Sequence, residues 1–379
     1  MKIKISIILL LVFLSAMFVP NVAYADTISD LEDEVKDNLD EIDFSDVDSI
    51  ADGHIGSVAD KVLAIINGEF DSAETFLSLV LTLFGEGLKS ILPQLVAMFA
   101  IIVILGLVRR NSGSMISEST NEVINFVGVS VVMITVLGLV ASSYKQVYQM
   151  LNKICALAET SMPILLTLLI ANGGNVASAV CQPSMVVFST VLIKVIQTVV
   201  LPLSVFAVVF SVVGNISSNI KVNKMSGFLS NTSNWILGCL FMVYSAFTSV
   251  QGITAASIDG VSYRAAKFAT KSYIPILGGY LADGFDVVVA STSLIKNAFG
   301  VVVLLILLFT IAEPLITVIS VNLGIQCVAA ICEPIADERY VKILNGISKA
   351  LTFMAVLVIA VAFMFCILML IAINCANGV

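Results

Sequence analysis

Charged residues and histidine are both scarce in this chain. Only 12% of the 379 residues are charged, 59% are hydrophobic, and the mean hydropathy is +1.04. Soluble globular domains carry about 25% charged residues, so the composition excludes that class and predicts an integral membrane protein. His54 is the one histidine, and no HExxH or CxxC spacing occurs. The sequence therefore gives no support for a zinc site or for histidine-based nucleophilic catalysis.

Nucleotide-binding motifs are also missing. The chain has no GxxxxGK[ST] phosphate loop, so any nucleotide hydrolysis belongs to a partner. Asp283 and Asp286 are a candidate carboxylate pair for an intramembrane hydrolase. They lie only three residues apart on one segment, however, whereas an acid–base pair normally comes from separate elements. The seven cysteines have no paired spacing and are expected to be buried apolar residues. We predict a non-enzymatic protein with no catalytic residues, cofactor or metal.

The chain begins with the features of a secretory signal peptide. Lys2 and Lys4 precede an apolar run from Ile5 to Val19, and Ala23-Tyr24-Ala25 provides a small-x-small cleavage site. We predict a signal peptide over residues 1–25, so that the mature protein starts outside the cytoplasm. An uncleaved first span is the alternative, although the apolar run is short for one.

An acidic segment follows the signal peptide. From Asp26 to Ser90 the chain has 17 acidic residues against three lysines. We interpret residues 26–90 as an acidic extracytoplasmic arm, with weak helical periodicity, that acts as a solvated spacer rather than as a contact surface. Residues 91–379 are mildly basic and form a multi-pass transmembrane domain. This charge distribution does not indicate nucleic-acid binding.

Apolar runs long enough to cross a bilayer, about 20 residues of helix, recur along the rest of the chain. Seven are clear: Ile91–Val108, Val123–Ala141, Ile154–Ala171, Met185–Gly214, Trp235–Ala256, Phe299–Ile325 and Ala350–Ile373. Tyr273–Ala290 is a candidate eighth. The predicted fold class is an all-α polytopic membrane protein with seven to eight transmembrane helices, preceded by the signal peptide and the acidic soluble arm.

Two parts of the transmembrane domain are similar to each other. PILLTLLIANG begins at Pro163 and PILGGYLADG at Pro275, while VFSTVLIK ends at Lys194 and VASTSLIK at Lys296. Because both matches occur in the same order, they indicate a duplication of residues 154–256 and 266–373, with chance similarity of apolar helices as the alternative. Each copy holds three hydrophobic segments, so the repeat is inverted if Tyr273–Ala290 crosses the membrane.

Loop charges bear on the number of spans. Seven spans place six basic residues in inside loops and seven in outside loops, which violates the positive-inside rule. Eight spans place Lys296 outside and Arg339, Lys342 and Lys349 inside, which gives eight inside against five outside. If the segments that begin at Pro163 and Pro275 are both re-entrant, seven basic residues lie inside and six outside. The rule favours eight crossings.

The stretch from Ser257 to Gly300 is too polar for an ordinary span and too apolar for an ordinary loop. Irregular, charged backbone at membrane depth is stable only inside protein or beside water. We predict that Arg264, Lys267, Asp283 and Asp286 line a wet, protein-enclosed cavity. The alternative is that they are solvated loop residues.

Three more ionisable residues lie within the predicted spans: Glu159, Lys194 and Glu313. A charge inside the membrane is costly and usually faces protein or water. Lys194 can pair with either glutamate in the bundle interior or snorkel toward the membrane surface, or the three can mark an ion or solute path. They complete the set of candidate pore-lining residues.

Several segments of the chain resemble a known family. The signal peptide, the acidic arm, the polytopic body, YRAAKF and the run SYIPILGGYLADGFDVVVASTSLIKNAFG are similar to stage III sporulation protein AE of endospore-forming bacteria. The steps Glu313-Pro314 and Glu333-Pro334, which predict a helix kink and a helix end, belong to the same resemblance. Its specific part covers residues 227–345.

The resemblance implies a subunit of the multiprotein channel or secretion complex that links mother cell and forespore after engulfment. It implies a location in the mother-cell membrane around the forespore. The implied partners are other stage III sporulation membrane proteins, a partner ATPase and a forespore-side channel protein. The family has no established catalytic residues to transfer. A transporter-like permease that moves a small solute or ion is the alternative that the repeat and the intramembrane charges favour.

Overall fold

The computed structural model describes residues 35, 39, 42–51, 57–67, 72–111, 118–171, 182–216, 223–273, 278–334 and 338–374. The predicted signal peptide over residues 1–25 lies outside these ranges. Within them, all regular secondary structure is helical, which confirms the all-α class predicted from the long apolar runs.

Nine α-helices and one π-helical turn occur in the described ranges. They are α1 (Ser45–Ile50), α2 (Val58–Ile66), α3 (Ser72–Asn111), α4 (Glu118–Ala171), α5 (Gln182–Val195), the π turn (Ile196–Val200), α6 (Leu201–Ile216), α7 (Asn223–Tyr273), α8 (Gly278–Cys332) and α9 (Glu338–Asn374). At a rise of 1.5 Å per residue, α4, α7 and α8 are each about 80 Å long, whereas the bilayer hydrocarbon is about 30 Å thick. These helices therefore extend well beyond a membrane.

Six segments of the described helices are long and apolar enough to cross a membrane. They are Thr82–Val108, Phe126–Ala171, Ser184–Gly214, Lys224–Gln251, Val289–Cys332 and Arg339–Ile373. The predicted spans Val123–Ala141 and Ile154–Ala171 both lie in α4, because the segment expected as a loop between them is helical. The predicted number of seven to eight spans is not confirmed.

Helix α8 passes without interruption through the loop that an eighth span requires. That loop would lie between Ala290 and Phe299 and would hold Lys296, but the whole segment is helical. Lys296 is fully buried and shares one helix face with Phe299 and Val303, which are also fully buried. The predicted position of Lys296 in an external loop is therefore wrong.

Helix α8 is also the centre of the bundle. It packs against α9, α4, α3 and α2. Along its length Val302, Val318 and Ile325 are fully buried. It ends at Cys332, and a turn at Glu333–Pro334 follows, which confirms the predicted helix end.

Two glycines allow close helix contacts around this centre. A Cβ atom at Gly300 of α8 would overlap the Ile373 side chain of α9. A Cβ atom at Gly346 of α9 would overlap the Ser211 hydroxyl of α6. Small residues permit such close approach of helices in membrane proteins.

The π turn joins α5 to α6 and lies directly before Pro202. In it the N–H of Leu201 donates to the carbonyl of Ile196, one residue further than in an α-helix. The turn places the buried Gln197 against α4, where its Nε2 donates to Asn152 Oδ1 at 2.9 Å. The bundle thus has a polar contact between α4 and the π turn.

Part of the predicted acidic arm packs on the bundle. Helix α2 contacts α8 and α1 contacts α4. Val47, Val58 and Val62 are fully buried, and the Phe44 ring lies 5.4 Å from the Phe299 ring of α8. For these residues the predicted solvated spacer is wrong, because the apolar side of each short helix faces the bundle. The arm boundary predicted at residue 90 falls inside α3, so the domain division stays a prediction.

The structure does not confirm the internal duplication. Lys194 and Lys296, which the two copies align, lie in different environments: Lys194 is exposed and Lys296 is fully buried. Pro275, which aligns with Pro163, lies outside the described residues. The duplication stays a prediction.

Candidate functional site

The four charged residues of the central stretch lie on two consecutive helices. Arg264 and Lys267 belong to α7, and Asp283 and Asp286 belong to α8. Within each pair the spacing of three puts both residues on one helix face. The positions of these four side chains lie outside the described part of the structure, so the wet cavity they are expected to line stays a prediction.

The three ionisable residues expected inside the bundle face outward. Glu159 on α4, Lys194 on α5 and Glu313 on α8 are all exposed. Lys194 and Glu159 both lie close enough to Cys155 to act on it electrostatically. Among the described residues, however, no ion pair joins Lys194 to Glu159 or to Glu313. The predicted interior pairing is not observed, and the proposed path through these residues stays untested.

Lys296 is the buried charge that sequence reasoning missed. It has no exposed surface, and Ser291 and Thr292, one turn earlier on α8, are also buried. All three have interaction partners. The signal in the sequence was the spacing of Lys296, Phe299 and Val303, which continues the apolar face of a helix. A buried lysine in a membrane helix marks a candidate functional position.

A hydrogen-bonded network of polar side chains connects α8 and α9. Gln326 Nε2 donates to Ser348 Oγ at 2.8 Å and to Asn322 Oδ1 at 3.1 Å. Ser348 Oγ donates to Asn322 Oδ1 at 2.7 Å, and Asn322 Nδ2 donates to Thr352 Oγ1 at 2.9 Å. Because polar groups at membrane depth are costly when unpaired, these mutual bonds stabilise the α8–α9 pair.

A polar recess lies beside this network, between α7 and the α8–α9 pair. Its larger lobe has a volume of about 870 Å³, and its smaller lobe, about 470 Å³, extends toward α6. Gln326, Ser348 and Thr352 of the network form part of the wall of the larger lobe. We refer to both lobes together as the recess.

Six polar side chains that line the recess have no hydrogen-bond or ion-pair partner within the described part of the chain. They are Ser230, Asn231, Asn234, Glu333, Asn345 and Lys349. Four of them, Ser230, Asn231, Asn345 and Lys349, line both lobes. We call these four the recess centre. Sequence reasoning did not identify it, although the cluster Ser230-Asn231-Thr232-Ser233-Asn234 is unusually polar for a span.

The recess centre consists of hydrogen-bonding side chains. Its four side chains contain one cation, two amides and a hydroxyl, and none of them is a carboxylate or a histidine. Among the described residues, no group of three histidine, cysteine, aspartate or glutamate side chains could hold a metal ion.

Comparisons with known proteins give one consistent result. The family model described as stage III sporulation protein AE matches residues 57–378. A curated protein of Bacillus subtilis (strain 168) named stage III sporulation protein AE is 31% identical over 216 residues, which are 57% of this chain and 54% of that protein. The chain thus spans about half the length of the curated relative it matches. No solved structure matches.

Proposed function

Because this chain belongs to the stage III sporulation protein AE family, we propose that it is a non-enzymatic membrane subunit of the channel or secretion complex that links mother cell and forespore after engulfment. The match over residues 57–378, which includes all six candidate spans, is the observation that carries the proposal. The similarity to the B. subtilis protein, whose name is that of the family, supports it.

The proposal places the protein in the mother-cell membrane around the forespore. There it assembles with other stage III sporulation membrane proteins and with a forespore-side channel protein. A partner ATPase supplies energy, since the chain has no phosphate loop of its own. The docked α1 and α2 support an extracytoplasmic surface that a partner contacts as a folded unit.

A clean deletion of the gene tests this function. We expect sporulation to arrest after engulfment, with a forespore that does not sustain late gene expression, while vegetative growth is unchanged. Spore counts and a late forespore reporter measure the outcome. A normal spore yield from the deletion strain would contradict the proposal.

A transporter-like permease is the second candidate, and the polar recess and the buried Lys296 favour it. Polar cavities and buried charges within a helical bundle are the features from which solute paths are built. On this reading, replacing Asp283, Asp286 or Lys267 with alanine reduces spore formation while the protein remains in the membrane at near-normal amounts.

The matched control is Lys145→Ala, which removes an exposed charge from α4 and should change little. Loss of both protein and spores in the Asp283 variant would indicate a structural role instead. Wild-type sporulation from all three variants would contradict a path through the central stretch.

A further inference from the structure

The recess centre has the composition of an oxyanion site. The Lys349 ammonium, the amides of Asn231 and Asn345 and the Ser230 hydroxyl all line the recess and can each donate hydrogen bonds. No carboxylate belongs to the centre, and Glu333 lines only the larger lobe. A cation surrounded by neutral donors complements a phosphate or carboxylate oxygen.

The position of Lys349 relates the recess centre to the membrane surface. Lys349 directly precedes the apolar run Ala350–Ile373 of α9. These 24 residues form about 36 Å of helix, enough to cover the hydrocarbon core of about 30 Å. Lys349 therefore lies where hydrocarbon meets headgroups, which is the level of the lipid phosphates.

The one tryptophan gives an independent indication of the same level. Trp235 follows Asn234 of the recess on α7 and is 70% exposed. Tryptophan side chains concentrate at the boundary between hydrocarbon and headgroups. This preference of tryptophan agrees with the level assigned from Lys349.

The larger lobe has an apolar side that begins next to the recess centre. Phe353 and Val356 of α9 line it one to two turns beyond Lys349, toward the middle of the membrane. The hydrogen-bond donors lie at the level of the lipid phosphates, and the apolar side of the lobe lies closer to the middle of the membrane. This arrangement fits a lipid headgroup together with its acyl chains.

We propose that the recess centre binds the phosphate group of an anionic phospholipid, with Lys349 as its cationic contact. Lys349, Asn231 and Asn345 are exposed in the recess, so their N–H groups are accessible to phosphate oxygens at the membrane surface. A free phosphate or carboxylate solute has the same chemistry, and the experiment separates the two sources. This inference does not depend on the proposed function, since it concerns binding by the purified chain.

The test uses Trp235 as the intrinsic fluorophore. The full chain is placed in phosphatidylcholine nanodiscs that contain a minor fraction of brominated phosphatidylglycerol or, for comparison, brominated phosphatidylcholine. Bromine quenches tryptophan at short range, so the ratio of the two quenching efficiencies reports preference for the anionic lipid. We expect a several-fold preference in the wild-type chain and none in Lys349→Gln.

Two further variants guard against a folding artefact. Lys349→Arg retains the cation and is expected to retain the preference, and Lys145→Gln loses the same charge outside the recess and is expected to behave as wild type. Equal preference in the wild type and Lys349→Gln overturns the proposal. Equal loss in Lys349→Gln and Lys145→Gln also overturns it, because the effect is then one of net charge.

Added anions distinguish the lipid from a soluble ligand. Sodium phosphate and sodium acetate are compared with sodium chloride at the same ionic strength. We expect the three salts to reduce the lipid preference equally, through screening alone. If phosphate or acetate removes the preference where chloride does not, the centre is a site for a soluble anion, and the lipid assignment is wrong.

Discussion

At the residue scale, the buried Lys296 is the clearest departure from the sequence expectation. An external loop lysine would be solvated, and its replacement would change stability by only a few tenths of a kcal/mol. Lys296 instead has no exposed surface and has interaction partners. Removing one member of a buried polar contact leaves the other unsatisfied, which typically costs about 1–3 kcal/mol.

We therefore expect Lys296→Met to lower the apparent melting temperature of the purified protein strongly and to reduce its amount in the membrane. Lys145→Met, the exposed control on α4, should leave both quantities near wild type. Thermal aggregation in detergent and quantitative immunoblots provide the measurements. Equal stability of the two variants would show that the Lys296 charge contributes nothing to the fold.

At the element scale, the contact between α6 and α9 depends on the absence of a side chain at Gly346. A Cβ atom there would overlap the Ser211 hydroxyl, so either the hydroxyl would have to rotate away from its present position or the helices would have to move apart. Overpacking of a well-packed contact typically costs about 1–3 kcal/mol. We expect Gly346→Ala to destabilise the protein in this range and a second change, Ser211→Gly, to restore part of the loss.

Gly238 on α7 is the matched control for Gly346→Ala, because a Cβ atom there would meet nothing within 4 Å. Gly238→Ala should be neutral or stabilise the helix by up to about 1 kcal/mol, since alanine has the higher helix propensity. The stabilities of all these variants are measured by thermal unfolding of the purified proteins. A neutral Gly346→Ala would contradict the close approach of α6 and α9.

The positions of the membrane helices could be predicted from the sequence, but their continuity could not. Apolar runs identified the positions of the membrane helices, because burial in lipid needs about 20 consecutive apolar residues whatever the packing. They did not show that two predicted spans can belong to one continuous helix. The polar residues Ser142, Ser143 and Gln146 of α4 were interpreted as loop, yet Ser143 is fully buried and its Oγ donates to the carbonyl of Leu139 at 3.0 Å. Local hydrogen bonds of this kind let a polar segment stay helical.

The site was harder to predict for a related reason. Lys296 and the recess centre depend on which helices become neighbours, and a single sequence gives little information on this. Asn231 and Asn345 are more than a hundred residues apart, and each alone is an ordinary polar residue near a helix end. Only the packing of α7 against α8 and α9 places them around Lys349.

At the scale of the whole molecule, six crossings change the expected orientation of the loops. If the arm lies outside and each candidate span crosses once, the connections after α3, α6 and α8 lie inside. Seven basic residues then belong to the inside regions: Arg109, Arg110, Lys221, Lys224, Arg339, Lys342 and Lys349. The outside connection between α7 and α8 holds three: Arg264, Lys267 and Lys271. This distribution, like the eight-span one, places most of the counted basic residues inside, as the positive-inside rule requires.

Two contacts relate the arm to the ends of the α8 and α9 spans. Phe44 of the arm contacts Phe299, near the start of the α8 span, and Gly300 lies against Ile373 at the end of the α9 span. The start of the α8 span, the end of the α9 span and the arm are thus on one side of the molecule. With the arm outside, the connection between α7 and α8 and the C-terminal end of α9 are outside too.

We therefore predict that Lys267 is extracytoplasmic and Arg339 cytoplasmic, whereas the eight-span arrangement places both in the cytoplasm. In a chain whose native cysteines are replaced, a membrane-impermeant thiol reagent added to intact cells should label Lys267→Cys, and should label Arg339→Cys only after permeabilisation. The reason is that α8 crosses once and cannot reverse at Lys296, which lies inside a continuous buried helix. Protection of both Lys267→Cys and Arg339→Cys in intact cells would mean that α8 is broken in the membrane and that an eighth crossing exists after all.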